Sequence, residues 1–314
     1  MPGAPDLSVV VPVYDEQDSL RELVARVTDV CAATGVSFEI LFVDDGSRDQ
    51  SWSIISELAA TNPAVRGVRF RRNRGKSAAL ASGFHRTAGR YVLTMDADLQ
   101  DDPAEIPALI AKLEEGYDLV SGWKVRRQDP LSKTIPSRFF NAITRIMSGI
   151  RLHDFNCGLK IYRSEVVKTV KLYGELHRYI PLLASNEGFD RIAELPVKHH
   201  PRKYGRTKFG LERYIRGFLD LLTVLFLTRF AARPMHFFGT LGTMAFVLGF
   251  LISLYLSVDK LVYGNPIGGR PLLILGAVLL LLGAQLFLTG LLGEIFVRPG
   301  MEASSTESVA ETIN

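Results

Sequence analysis

The sequence predicts an α/β domain on a mostly parallel sheet, followed by juxtamembrane amphipathic helices and a two-helix transmembrane hairpin. Three observations predict it. The first hundred residues interleave near-continuous apolar runs with stretches of helical apolar spacing, as strands covered on both faces by crossover helices require. Phe237–Val258 and Pro271–Gly293 run for 22 and 23 residues without a charge. At about 1.5 Å per residue, each spans the roughly 30 Å hydrocarbon layer. Arg229 and Arg233 precede the first run and Arg298 follows the second. The positive-inside rule therefore puts both outer ends in the cytosol; the loop between them, with only Lys260 and Arg270, is compatible.

Taken in order, Leu7–Val13 is a β-branched run with a proline near its end. It has no basic residue before it, so it reads as a strand and not a signal peptide. Gln17–Ala32 places Leu20, Leu23, Val24, Val27, Val30 and Cys31 at helical spacing. Phe38–Val43 is an apolar strand closed by Asp44-Asp45-Gly46-Ser47, a turn and helix-capping sequence. Trp52–Ala60 follows as a helix, Val65–Phe70 as a short strand, Lys76–Thr87 as an alanine-rich helix and Tyr91–Met95 as a strand. A helix over 104–115 and a strand over Asp118–Gly122 come next. Pro136–Gly149 and Gly210–Arg233 have amphipathic spacing that suits either a membrane interface or an ordinary core-facing helix. The chain is thus expected to divide into a cytosolic domain over 1–209, amphipathic helices over 210–234, membrane helices within 235–298, and a polar tail over 299–314. That tail is expected to be disordered.

Composition narrows the function. Overall the chain is 47% hydrophobic and 22% charged, with a net charge of +4, which does not argue for nucleic acid. Basic residues cluster at Arg66–Lys76, Lys124–Arg138 and Lys198–Arg233, which suits phosphate groups or an anionic membrane surface. The two cysteines, Cys31 and Cys157, have no partner at metal-ligand spacing and make no disulfide framework. A reducing compartment is expected.

Ligands of a parallel sheet bind beyond the carboxyl ends of its strands. Those ends carry Tyr14-Asp15-Glu16, Asp44-Asp45 and Asp96-Ala97-Asp98, so acidic side chains are expected to converge on one edge. Asp96 and Asp98, one residue apart at a strand end, suit a hard divalent cation held through oxygen, with Gln100 as a further oxygen ligand. Such a cation can bridge a diphosphate and offset the charge that develops as a nucleotide leaves. Tyr14 suits stacking on a base, Glu16 a hydrogen bond from a ribose, and Asp44 or Asp45 a base N–H donor. Asn73–Leu80 lacks the upstream glycine of a phosphate-binding P-loop, yet Lys76 at a helix start is placed to meet a phosphate. Arg202 and Lys208, in a flexible basic stretch before the membrane helices, are candidates for holding a lipid phosphate. The competing reading of that stretch is a patch binding bulk anionic lipid.

In this order, PVYDE (12–16), VDDGS (43–47), NRGKSAA (73–79), MDADLQ (95–100), SGWKVRR (121–127), DFNCGLKIYR (154–163) and RKYGRTK (202–208) resemble a family-2 glycosyltransferase with a GT-A, Rossmann-like fold. The resemblance covers roughly residues 7–297. It looks closest to dolichyl-phosphate mannose synthase and the bactoprenol glucosyltransferases, and the C-terminal hairpin is more like the latter. The resemblance implies transfer of one hexose from a nucleotide-sugar to a polyprenyl phosphate at the cytosolic face of the plasma membrane. A UDP-sugar is preferred and GDP-mannose is left open. It implies that Pro12, Tyr14, Glu16 and Asp45 line the nucleotide site with Asp44 beside them. Asp96 and Asp98 would bind Mg²⁺ or Mn²⁺ next to Gln100. Lys124 and Arg138 would contact phosphates, Asp154 would lie near the reacting centre, and Arg202 and Lys208 would hold the lipid phosphate. The family often has Gly-x-Ser-Lys where this chain has Gly205-Arg206-Thr207-Lys208; threonine keeps the hydroxyl. Membrane lipids are the other expected partners, and homo-oligomerisation stays open.

Rival readings fit less well. A nucleotidyltransferase would show a glycine-rich N-terminal loop and no hairpin, and a dehydrogenase would show GxGxxG after the first strand. A processive polysaccharide synthase would carry a QxxRW motif and several membrane helices. A non-catalytic scaffold has no need of the intact Asp96-Ala97-Asp98 triplet.

Overall fold

The computed structural model describes residues 4–125, 141–146, 148–201, 203, 226, 230 and 233–304, with side chains to residue 296. Arg138, Arg202, Lys208, most of the 210–234 stretch and the last ten residues of the tail lie outside the described residues. The chain forms two units, Met1–Val224 and Leu225–Asn314.

The first unit is built on one sheet of strands β1 (Leu7–Val13), β2 (Phe38–Asp44), β3 (Val65–Arg69), β4 (Tyr91–Thr94), β5 (Leu119–Trp123), β6 (Lys160–Arg163) and β7 (Ile192–Pro196). Their order is β3-β2-β1-β4-β6-β5-β7. All neighbours are parallel except β6, which runs antiparallel to both β4 and β5. The chain steps outward from β1 to β3 and then returns to β4 on the other side of β1. That reversal opens a crevice beyond the carboxyl ends of β1 and β4.

Helices α1 (Leu20–Thr34), α2 (Ser51–Thr61), α3 (Lys76–Arg86), α4 (Ile106–Glu114), α5 (Ser164–Thr169) and α6 (Ile180–Asn186) accompany the sheet. Side chains alternate across a strand. Leu7, Val9 and Val11 of β1 therefore pack with Leu20, Leu23 and Val27 of α1 and with Leu109 and Leu113 of α4. Val10, between them, packs instead with Leu80 and Phe84 of α3, Tyr162 of β6 and Ile180 of α6. Burial on both faces is why these strands read as unbroken apolar runs. Each such side chain contributes about 1.5–3 kcal/mol when fully buried.

Helix α1 starts at Leu20, later than the apolar spacing from Gln17 indicates. Asp15 adopts a positive φ of 53°, and the Glu16 carbonyl accepts from both the amide and the hydroxyl of Ser19, at 3.2 and 2.9 Å. A tight turn thus takes the residues that hydrophobic spacing assigns to helix.

The second unit is an antiparallel pair, α7 (Pro234–Tyr263) and α8 (Pro271–Ser304). Gly264, at φ 69°, ends α7 by donating to the Lys260 carbonyl at 3.1 Å. Asp259 ties the turn, accepting from Asn265 at 3.0 Å and from Arg270 at 2.6 Å. Both helices are long and apolar enough to cross a membrane. Only 17% and 11% of their most apolar windows are buried, unlike the core helices of a water-soluble domain.

Candidate active site

Two loops are stitched together at the carboxyl ends of β1 and β2. The Asp15 amide donates to Ser47 Oγ at 3.0 Å, the Arg48 amide to Asp15 Oδ1 at 2.8 Å, and the Glu16 amide to Ser51 Oγ at 3.0 Å. Asp44 is fully buried; it accepts from the Ser47 amide at 2.9 Å and pairs with Arg69 at 3.1 Å. Asp45 accepts from the amides of Arg74 and Gly75, at 2.6 and 2.8 Å. Burial raises the Asp45 pKa against those two bonds, and the neighbouring Asp44 adds to the rise. The two carboxylates thus hold the loops that wall a cavity of about 600 Å³. Tyr14, Ser47, Arg48, Phe70, Asn73 and the guanidinium side chains of Arg69, Arg71 and Arg72 line it. Gly46 permits this wall: its φ is +74°, and a Cβ there would meet the Arg72 carbonyl carbon at 2.7 Å. Pro12, half-buried on β1, pairs in register with Val43.

The second cluster follows β4. Leu99 has a positive φ of 59°, a conformation that non-glycine residues adopt mainly where surrounding structure enforces it. That turn buries Asp98, whose Oδ1 accepts the Gln100 amide at 3.2 Å. Asp96 pairs with Lys76, the first residue of α3. Burial works against its charge, but Lys76, with Lys124 behind it, wins and holds the Asp96 carboxyl down at about 2. Asp101, almost fully buried, pairs through Oδ1 with Lys124 at 2.8 Å. Burial opposes the Lys124 ammonium too, yet the Asp101 carboxylate keeps its pKa raised. Asp154 is buried and accepts the Asn156 amide at 3.1 Å. Its loop is anchored from beneath by the buried Lys160 ammonium, which donates to the Phe155 carbonyl at 3.1 Å and to that of Cys157.

These residues form one continuous edge. Asp45 holds Gly75, Gly75 leads to Lys76, and Lys76 reaches Asp96. The start of the basic stretch joins the same edge. His199 bridges to Asp101, the His200 amide donates to the Gln100 carbonyl at 2.9 Å, and His200 Nε2 lies 2.9 Å from Asp102. Asp101, Lys160, Ser77 and His177 were not singled out from the sequence. Ser77 and Lys160 stand inside motifs quoted for other residues and Asp101 directly follows one, whereas nothing in the sequence points to His177.

The carboxylates fit a hard cation. Asp101 Oδ2 is buried without a hydrogen-bond partner. It and Asp96 Oδ2 converge over Gly158, where a Cβ would lie 3.1 and 2.7 Å from them. Paired anionic oxygens of this kind suit Mg²⁺ or Mn²⁺. Among the described residues, no three His, Cys, Asp or Glu side chains form a metal-holding group, so substrate oxygens or Gln100 would complete the coordination.

Comparison with known proteins identifies this architecture. The model of Glycosyl transferase family 2 matches residues 8–171. The dodecaprenyl-phosphate galacturonate synthase of Rhizobium johnstonii is 43% identical over 297 residues, covering 93% of this chain and 88% of that protein. The undecaprenyl-phosphate 4-deoxy-4-formamido-L-arabinose transferase of Klebsiella pneumoniae subsp. pneumoniae is 38% identical over 299 residues, covering 95% and 90%. A crystal structure of glucosyl-3-phosphoglycerate synthase from Mycobacterium tuberculosis, in complex with Mn²⁺, UDP-glucose and phosphoglyceric acid, has a TM-score of 0.53 at 21% identity, covering 71% of this chain and 79% of that one. That likeness is one of fold. The mixed sheet with its acidic carboxyl edge is a GT-A-like domain, and the chain belongs to glycosyltransferase family 2.

Proposed function

We propose that this chain transfers a single sugar from a nucleotide-sugar, with UDP preferred, to a polyprenyl phosphate at the cytosolic face of a membrane. The carrying observation is the single edge on which the arginine-lined cavity, Lys76, Asp96 and Lys124 meet the start of the basic 199–208 stretch. Two relatives that share most of this chain's length are named for adding sugars to polyprenyl phosphates. The two apolar helices would keep the enzyme in the layer that dissolves such an acceptor.

The reaction is a single in-line displacement at the anomeric carbon, with inversion. The attacking phosphate oxygen is already anionic near neutral pH, so no strong general base is needed. The work falls to positioning and to electrostatic stabilisation of the departing diphosphate. Tyr14 and the cavity arginines would receive the nucleoside, with Pro12, Glu16, Asp44 and Asp45 shaping its walls. Asp96, on which the Asp101 carboxylate converges, would hold a divalent cation together with Asp98 and Gln100 of the same motif, and the charge of that cation when bound offsets that of the diphosphate. Lys76, Lys124 and Arg138 would serve its phosphates, Asp154 would orient the acceptor, and Arg202 and Lys208 would hold the lipid phosphate. The test incubates the purified full chain with a panel of UDP- and GDP-sugars and a polyprenyl phosphate, then analyses the lipid by mass spectrometry and NMR. The expected product carries one sugar, with its anomeric configuration inverted. Repeated addition, or donor hydrolysis without a lipid product, would overturn the reading.

A further inference from the structure

Helix α3 begins without a side-chain cap from Gly75, so its first turn must be held from outside. Asp45 holds one side through the Arg74 and Gly75 amides. The other side is held by a short helical turn, Leu176–Tyr179, that lies a hundred residues further along the chain. The His177 amide donates to Ser77 Oγ at 3.0 Å, and the same oxygen lies 3.0 Å from His177 Nδ1. A hydroxyl oxygen that accepts from the amide has its own proton left for the ring. Ser77 can therefore donate to Nδ1 with the ring proton on Nε2, and the reverse sense, Nδ1–H donating to the second lone pair of Oγ, makes the same contact. Ser77 is fully buried, so this exchange is shielded from water. Burial, followed by the nearby Lys76 and Arg178 cations, pushes the His177 pKa well below 6.5. The neutral ring that accepting from Ser77 requires is thus the form present.

Ser77 is the residue after Lys76. Whatever fixes Ser77 fixes the backbone from which the Lys76 ammonium reaches Asp96. We propose that His177 is a positioning residue: through Ser77 it holds Lys76 where its ammonium can pass from Asp96 to the diphosphate of the donor. This rests on the reading of the site as a nucleotide-sugar site. A cation held on a fixed turn serves donor binding more than turnover when it meets the diphosphate equally in ground and transition states. The latch therefore acts on donor binding through the charge the diphosphate already carries, and the further charge that develops on departure falls mainly to the other groups at the phosphates.

The test compares the full chain with His177→Ala, His177→Asn, Lys76→Ala and the double variant His177→Ala/Lys76→Ala. Three quantities are read: UDP affinity by calorimetry with metal chelated, and KM and kcat for the donor. His177→Ala should weaken UDP binding and raise KM about tenfold, with kcat changed less than about threefold, as loss of one well-placed charged hydrogen bond predicts. His177→Asn, whose amide oxygen can take the place of Nδ1, should recover most of that loss. In the Lys76→Ala background, His177→Ala should cost nothing further, because contacting groups that act through one another are not additive. Equal UDP affinity in His177→Ala and wild type would overturn the proposal. So would the same loss with and without Lys76, which is what a merely structural histidine gives. Should His177→Ala fail to fold, Ser77→Ala must produce the same cycle with Lys76→Ala. A wild-type chain that binds no UDP and makes no glycolipid refutes the functional reading itself, a different result from either of these.

Discussion

Glu39 shows how far a single carboxylate can carry a fold. It is nearly buried at the start of β2; Oε1 accepts from Ser8 at 2.6 Å and from the Ala88 amide at 2.9 Å, and Oε2 pairs with Arg66 at 2.6 Å. Burial disfavours its charge, but these three partners outweigh it, so its pKa falls below 4.5. A folded value below the unfolded one means stabilisation that is complete above 4.5 and lost as pH falls through the folded value. Glu39→Gln should lower the melting temperature by roughly 4 °C at pH 7, and the gap should shrink steadily as the pH is taken below 4.5. A gap that stays constant with pH would show that the charge contributes nothing. Asp98 has the opposite profile, tied to a turn residue at positive φ and to the amide two positions on. Asp98→Ala should cut glycosyl transfer by at least about a hundredfold, as loss of a charge-stabilising group does, while the chain still folds, as read by circular dichroism. Near-normal turnover in that variant would end the metal role of the 96–98 pair.

Element by element, the two halves of the first unit differ in how much the sequence revealed. Up to Trp123, strand runs and helical spacing are legible because the helices are long enough to repeat their period and the strands, even the four-residue β4, are unbroken apolar runs bounded by turn residues. From 155 to 196 the elements are a four-residue β6, a six-residue α5, the four-residue turn Leu176–Tyr179, a seven-residue α6 and a five-residue β7, none offering two full turns or a clear alternation. The antiparallel β6 therefore went unread, although its motif was noted. Within the site, acidic strand ends were readable as a group. The division of labour between Asp44 and Asp45, and the pairing of Ser77 with His177, depend on contacts across 25 to 100 residues, which leave no local trace. In the hairpin, glycines carry the packing. Gly276, Gly283 and Gly290 recur every seven residues along α8, and a Cβ on Gly283 would meet Phe246 N at 2.5 Å and Gly242 O at 2.7 Å. Small residues that let helix backbones touch are the usual seam of membrane helices. Gly283→Leu should destabilise the pair by about 1–3 kcal/mol or more, through overpacking, and should lower the unfolding temperature in detergent. Gly268→Ala, with nothing within 4 Å, should not change it; equal behaviour of the two would deny the seam.

For the molecule as a whole, the proposal requires the catalytic unit and the 264–270 turn to lie on opposite sides of the bilayer. The chain's own chemistry makes this measurable. Cys31 and Cys157 are both buried and unpaired with each other, and burial pushes their thiols up to about 11 and about 12. Since the thiolate is the reactive form, neither competes for a maleimide near neutral pH, and an introduced thiol reports alone. Gly268 is open space in the turn and Ala33 is exposed at the end of α1, so cysteine at either site disturbs nothing. In intact cells a membrane-impermeant maleimide should label Gly268→Cys and leave Ala33→Cys untouched. After permeabilisation both should react. This expected orientation rests on the arginines at the outer ends of the hairpin, because positive charge favours the cytosolic side. Labelling of Ala33→Cys in intact cells would place the acidic edge away from a cytosolic nucleotide-sugar pool and leave the proposed donor no route to Asp96; labelling of neither position until the membrane is breached would put the 264–270 turn on the cytosolic side and deny that the hairpin crosses the bilayer.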